Sequence, residues 1–291
     1  MSDLRLQSKL SGVHALKGSW IKAMLIFCVL SLLSFGLSSL DDAYRNVFGI
    51  SRLTANGFLN VDVRSLIVQA VFTIITFFVM APLVLGMLEW FWNLTGGTKT
   101  GVGDIFEWYG SGRLYAKSLI LGLNVGVRCL LWGVLTCGIP LLMIGAANFY
   151  SSGVDLSKTN LSATDVQNLL IVGLLMIFGV LILLGGILLF IFITSKYIVA
   201  YFLIVEDNSR KVSTVICDSI KYSRKFKWEF TKFILSFTGW FFTCIAILPF
   251  LYVIPYFCSS LSVFVKHIIY SQRPRETVTD TIQFNAPEPS K

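Results

Sequence analysis

Residues 169–205 form an apolar run broken only by Thr194, Ser195 and Lys196. Wound as an α-helix at 1.5 Å per residue, the run extends about 55 Å. A bilayer's hydrocarbon core is only about 30 Å thick. A helix that is apolar on every side has no polar face to give to water, so it belongs in lipid or deep in protein. The whole chain points the same way. Hydrophobic residues make up 55% and charged residues 14%, against roughly 45–50% and 25% in soluble domains, and the mean hydropathy is +0.74. A multipass α-helical membrane protein follows. A secreted disulfide-stapled domain, a disordered chain and a cytosolic enzyme are excluded.

The apolar runs predict spans at about 20–40, 66–92, 115–147 and 169–205. Between Lys232 and Lys266 no residue is charged. One crossing needs about 20 residues, so this stretch reads as two spans, 230–250 and 254–270, turning near Pro249 and Pro255. The expected fold is all-α: a six-helix integral membrane bundle of three helical hairpins, with amphipathic interfacial helices. Residues 1–19 carry Leu6, Leu10, Val13 and Leu16 with Lys9 and Lys17 between them, the spacing of a short helix lying on a membrane. Span 20–40 is too long for a cleaved leader and reads as a retained anchor. In 209–227, Val212, Val215, Ile216, Ser219, Ile220 and Ser223 form one stripe. Basic residues crowd the remainder, and Asp207 or Asn208 is the expected N-cap. Residues 271–291 contain three prolines and little that is apolar, so a disordered tail is expected.

Charge sets the orientation. Of 24 Lys and Arg residues, nineteen flank one side of these spans, four the other, and Arg128 lies within the third. Basic loops stay in the cytoplasm. Both termini are therefore expected on the inner face of a cytoplasmic membrane, and the number of crossings is even. The net charge of +8 suits an anionic leaflet better than nucleic acid, because the cations border apolar spans.

Arg128 is the most unusual residue. At the centre of a span it costs about 2.5–3.5 kcal/mol, and no carboxylate lies well inside any span. It either contacts an anion or lipid headgroup together with Asn124 and Gln69, or snorkels to the interface with 130–150 as the crossing. A second candidate surface is cytoplasmic: Arg210, Lys211, Lys221, Arg224, Lys225, Lys227 and Trp228, facing lipid or a partner. Pro82, Pro140 and Pro255 predict kinks. Gly86, Gly122, Gly126 and Gly239 are expected to permit close packing. The six cysteines form no C-x-x-C pair and there are two histidines, so no metal or other cofactor is expected. No motif of a hydrolase or metalloprotease occurs, and the chain reads as a non-enzyme.

Several segments resemble one family. They are Leu16-Lys17-Gly18-Ser19-Trp20, Pro82-Leu83-Val84-Leu85-Gly86, Asp104-Ile105-Phe106, residues 219–228, Leu235-Ser236-Phe237-Thr238-Gly239-Trp240 and Pro255-Tyr256. The chain resembles the uncharacterised Gram-positive multipass family called domain of unknown function 975, itself similar to the membrane domain of some glycerophosphodiester phosphodiesterases. The resemblance implies a six-helix bacterial membrane protein and supplies no activity. The function expected is organisation or regulation of a membrane-associated partner, with the bilayer, anionic lipids and a second membrane protein as partner classes. The alternative is a transporter or channel for a small anionic or lipid-like solute, using Arg128.

Overall fold

Each long apolar run is a helix, and each helix overruns the run that predicts it. The computed structural model describes residues 2–50, 63–152, 163–243 and 247–272. Its helices are α1 (Ser2–Leu16), α2 (Trp20–Phe48), α3 (Val63–Thr95), α4 (Gly112–Ser152), α5 (Ala163–Glu206), α6 (Val212–Ser223), α7 (Lys227–Leu235), α8 (Thr238–Thr243) and α9 (Ile247–Gln272). A 3-10 helix (Val102–Tyr109) links α3 to α4. No strand occurs among the described residues. The overrun has a simple cause: polar residues at a helix end still make backbone hydrogen bonds, so the helix outlasts its apolar stretch. In α2 it continues through Asp41, Asp42 and Arg45 to Gly49, whose φ of 63° ends it. That left-handed cap suits glycine.

Five described helices are long and apolar enough to cross a membrane: Trp20–Phe48, Val63–Thr95, Gly112–Phe149, Thr164–Glu206 and Pro249–Gln272. The expected span 230–250 is not one of them. Its residues fall into α7 and α8, of 9 and 6 residues, and into the start of α9. The turn expected at Pro249 and Pro255 is also absent, because both prolines lie within α9. Pro249 sits in the first turn, where a missing N–H costs nothing. Much of the expected tail (273–291) lies outside the described residues, as do 51–62 and 153–162 of the two polar loops.

Helices α4 and α5 form a close antiparallel pair. Gly133 lies beside Phe190, Gly186 faces the Thr136 carbonyl and Gly179 faces Ile144. The paired numbers sum to 322 or 323 throughout, so the register does not slip. A Cβ on Gly186 would lie 2.3 Å from the Thr136 oxygen. Helices α2 and α3 form a second antiparallel pair, with Arg45 on Ser65 and Gln69 at one end and Phe27 on Phe91 towards the other.

Side-chain packing concentrates at one end of both pairs. Trp92 of α3, Phe202 of α5, Ile216 of α6, Phe233 of α7 and Phe264 of α9 belong to one buried cluster. Leu16, Ile26, Phe91, Ile105 and Cys258 belong to a second. Helices α7 and α8 run back along α9, with Phe226 against His267, Phe230 against Phe264, and Trp240 against Tyr252. Helix α9 crosses α3 steeply. Ser262, Lys266 and Tyr270 all meet the single turn Phe91–Thr95. Tyr252, near the other end of α9, stacks at 4.7 Å on Trp20, the first residue of α2. Both ends of α9 therefore lie at the same end of the α2–α3 pair.

Helix α1 buries one face and leaves two of its leucines exposed. Ser8, Gly12 and Leu16 are buried, while Leu6 and Leu10 are exposed. The buried face is the small one, because α1 packs against α9: Ser259 donates to the Gly12 carbonyl at 2.9 Å, and a Cβ on Gly12 would lie 2.7 Å from the Ser260 nitrogen.

Proline 82 and Gly86 share the buried face of α3. A Cβ on Gly86 would lie 2.0 Å from the Ile105 carbonyl oxygen, so the 3-10 helix rests directly on that glycine. Gly122 lies against the Phe77 ring, whereas Gly126 and Gly239 meet nothing within 4 Å. The helices run continuously through Pro82, Pro140 and Pro255. Gly86→Val is therefore expected to destabilise the fold by about 2 kcal/mol or more through overpacking, and Gly126→Ala by less than about 0.5 kcal/mol. Thermal unfolding of both variants in detergent is the check; equal midpoints would contradict the close approach.

Candidate functional site

Helix α6 buries five of the six residues of its expected stripe and leaves Ile220 exposed. Val212, Val215, Ile216, Ser219 and Ser223 are buried against the bundle, and Lys211, Lys221, Arg224 and Lys225 are exposed. Its boundaries are shorter than 209–227, and the expected cap is absent. Lys211 holds the N-cap position without a side-chain hydrogen bond. Asp207 instead closes the preceding turn, accepting from the Ser209 hydroxyl at 2.6 Å and its N–H at 3.0 Å. The Ser209 hydroxyl is the main cause holding the Asp207 carboxyl below its ordinary pKa. Its contribution is thus present at neutral pH and is lost as pH falls through the folded-state pKa.

Two basic residues are tied into the structure. Arg210 pairs with Asp218. Lys117, at the start of α4, donates to the carbonyls of Asn208 and Arg210, the latter at 3.1 Å. The turn between α5 and α6 is thereby fixed to α4. Trp228 is 61% exposed yet has two ordered neighbours. It meets Phe192 of α5 edge-on, Lys232 lies 5.5 Å over its ring, and Lys227 lies 5.9 Å over Phe192. An exposed tryptophan flanked by lysines is the chemistry of a membrane–water boundary.

Arg128, Asn124 and Gln69 are not brought together. The Arg128 guanidinium lies 5.9 Å from the Tyr197 ring, and Lys196 lies over Tyr197 and Trp132. Asn124 donates to the Ile120 carbonyl within its own helix. Gln69 accepts from Arg45 at 3.0 Å.

Arg45 is the residue that sequence reasoning missed. It is 3% exposed, although it lies near the end of α2. Its Nε donates to Asp41 at 2.8 Å, and its terminal nitrogens reach Ser65 and Gln69 on α3. A buried guanidinium needs this many acceptors, because desolvation outweighs a single pair. The signal was present as an Asp and an Arg four residues apart, the spacing of a helical ion pair. Ending the first span at residue 40 hid it, because it left Asp41 and Arg45 outside the helix. A second polar contact joins elements at the other end, where Trp108 donates to Glu89 at 2.5 Å. Among the described residues no three His, Cys, Asp or Glu side chains gather as a metal site.

Against known families, residues 1–272 match the model described as a protein of unknown function (DUF975). The chain belongs to the DUF975 family. No curated protein and no solved structure matches it. The further likeness to phosphodiesterase membrane domains therefore gains no relative in its support. The DUF975 match covers every described residue, so the buried Arg45 network and the basic face of α6 both lie inside the family domain.

Arg45→Ala is expected to cost about 3 kcal/mol, since it strands a partly buried carboxylate. Arg224→Ala, on an exposed face, is expected to cost less than about 0.5 kcal/mol. With Asp41→Ala, a double-mutant cycle on unfolding in detergent reads the coupling; strict additivity would contradict the pair.

Proposed function

We propose that this DUF975 protein is a non-enzymatic membrane scaffold that presents the α6 face to the cytoplasmic leaflet or to an acidic partner held there. The observation carrying this reading is the buried stripe of α6 together with exposed cations at Lys221 within the helix and at Lys211, Arg224 and Lys225 at its two ends. Each cation near an anionic surface contributes about 1 kcal/mol. Four so placed give an attraction that salt and charge reversal both abolish. The exposed Trp228 beside Lys227 and Lys232 supports an interfacial position for the same end.

In this reading α2, α3, α4 and α5 are the four crossings, and α9 lies across their basic ends. Support comes from the position of both α9 ends beside Trp20 and Trp92. Four is even, as the distribution of Lys and Arg requires of a chain with both termini inside.

Two measurements test it. A cysteine at position 250, in place of the exposed Phe250, in an otherwise cysteine-free background is expected to react with a membrane-impermeant maleimide only from the cytoplasmic side; reaction from outside restores a six-crossing hairpin. Replacing Lys221, Arg224 and Lys225 together with Glu is expected to remove the difference between phosphatidylglycerol and phosphatidylcholine nanodiscs in membrane proximity of a nitroxide at Cys217. An unchanged difference would sink the lipid half of the proposal.

A further inference from the structure

The α2–α3 pair encloses a groove of about 590 Å³ that no assigned role uses. The volume lies within the range of small-molecule sites, about 300–1,000 Å³. Ser34, Ser38 and Asp41 line it from α2, and Gln69, Thr73 and Thr76 from α3. Towards the packed end its walls turn apolar, with Phe77, Met80 and Val84. Gly122 of α4 and Tyr201 of α5 also line it. From Gln69 to Val84 the groove follows about 22 Å of helix. That exceeds the roughly 15 Å of one hydrocarbon leaflet.

Four Ser and Thr hydroxyls line this groove, and one of them is satisfied within its own helix: Thr73 donates to the Gln69 carbonyl at 2.7 Å. That back-bonding, shared by Thr95, Thr136 and Thr194 elsewhere, is how a helical hydroxyl is satisfied without a partner. Ser34, Ser38 and Thr76 make no hydrogen bond among the described residues, and all three face the same space. Leaving a hydroxyl without a partner in hydrocarbon costs on the order of a few kcal/mol. The lining therefore includes three unspent donors above an apolar floor, closed at the polar end by the Asp41–Arg45 pair.

We infer that the groove binds a glycerolipid of the surrounding bilayer. One acyl chain lies along Phe77, Met80 and Val84, and the ester carbonyls accept hydrogen bonds from Ser34, Ser38 and Thr76. A glycerolipid fits because its linkage region offers acceptors to these donors. Because the charges of Asp41 and Arg45 answer each other, the pair needs no opposite charge from a headgroup. The supply is the membrane around the exposed faces of α2 and α3.

The test uses the full chain in nanodiscs of phosphatidylethanolamine and phosphatidylglycerol, doped with phosphatidylcholine carrying a diazirine in its acyl chain. After illumination and digestion, adducts on 34–41 and 72–84 are expected to exceed those on the equally exposed 170–184 face of α5 at least fivefold. Ser38→Phe, which fills the groove, is expected to reduce the groove adducts at least fivefold and leave the α5 adducts unchanged. The paired variant Ser34→Ala with Thr76→Val removes donors without adding bulk. It is expected to lose lipid that co-purifies with the wild type in native mass spectrometry. Uniform labelling along all exposed faces overturns the inference. So does groove labelling that Ser38→Phe leaves intact, or, if that variant fails to fold, lipid retention by the paired variant equal to that of the wild type.

Discussion

The constraint on which everything else depends is that hydrocarbon hydrates nothing. A helix in lipid must satisfy its own backbone, and its apolar side chains gain nothing by leaving one apolar medium for another. This explains the uneven distribution of packing. Along the outer parts of α4 and α5, residues such as Leu130, Leu142, Leu174 and Leu188 stay exposed. The large side chains that are fully buried, including Trp90, Trp108, Phe202 and Phe264, gather at the basic end. There α1, α6, α7 and α9 pile onto the ends of the long helices. The protein is organised as two long helical pairs standing on a packed base.

Small residues hold the parts of the base together where lipid cannot. The 3-10 helix rests on Gly86 and α1 on Ser260 through Gly12, and farther out along the long pair α5 rests on Thr136 through Gly186. Each contact brings backbone within reach of backbone, which multiplies dispersion contacts that no larger side chain would allow. Cations then stitch the loops to these packed helices. Lys22 donates to Thr100, Lys266 to Trp92 and Lys9 to Ser236, each at a backbone carbonyl.

The spans were legible because a bilayer tolerates little else than a long apolar run, and α6 was legible because its stripe and its charges have the same period. The fate of 230–270 was not. An uncharged stretch reads alike whether it crosses lipid or lies buried against protein, and α9 is both apolar enough to cross and fully buried at residues such as Phe264, Ile268 and Ile269. The contact of α1 with α9 was not legible either, because Gly12 makes it by close approach to a distant helix. The Arg45 network was hidden because its partners Ser65 and Gln69 come from another helix, and no sequence period brings them together.

The clamp from Lys117 to the carbonyls of Asn208 and Arg210 has a mechanical consequence. Helices α4 and α5 contain 41 and 44 residues, about 60 Å each, twice the depth of the oil they stand in. Such a pair leans or protrudes as the surrounding bilayer thins or thickens. Because the turn into α6 is bonded to the foot of α4 rather than hung from a slack linker, the α6 cations keep a fixed attitude to that foot.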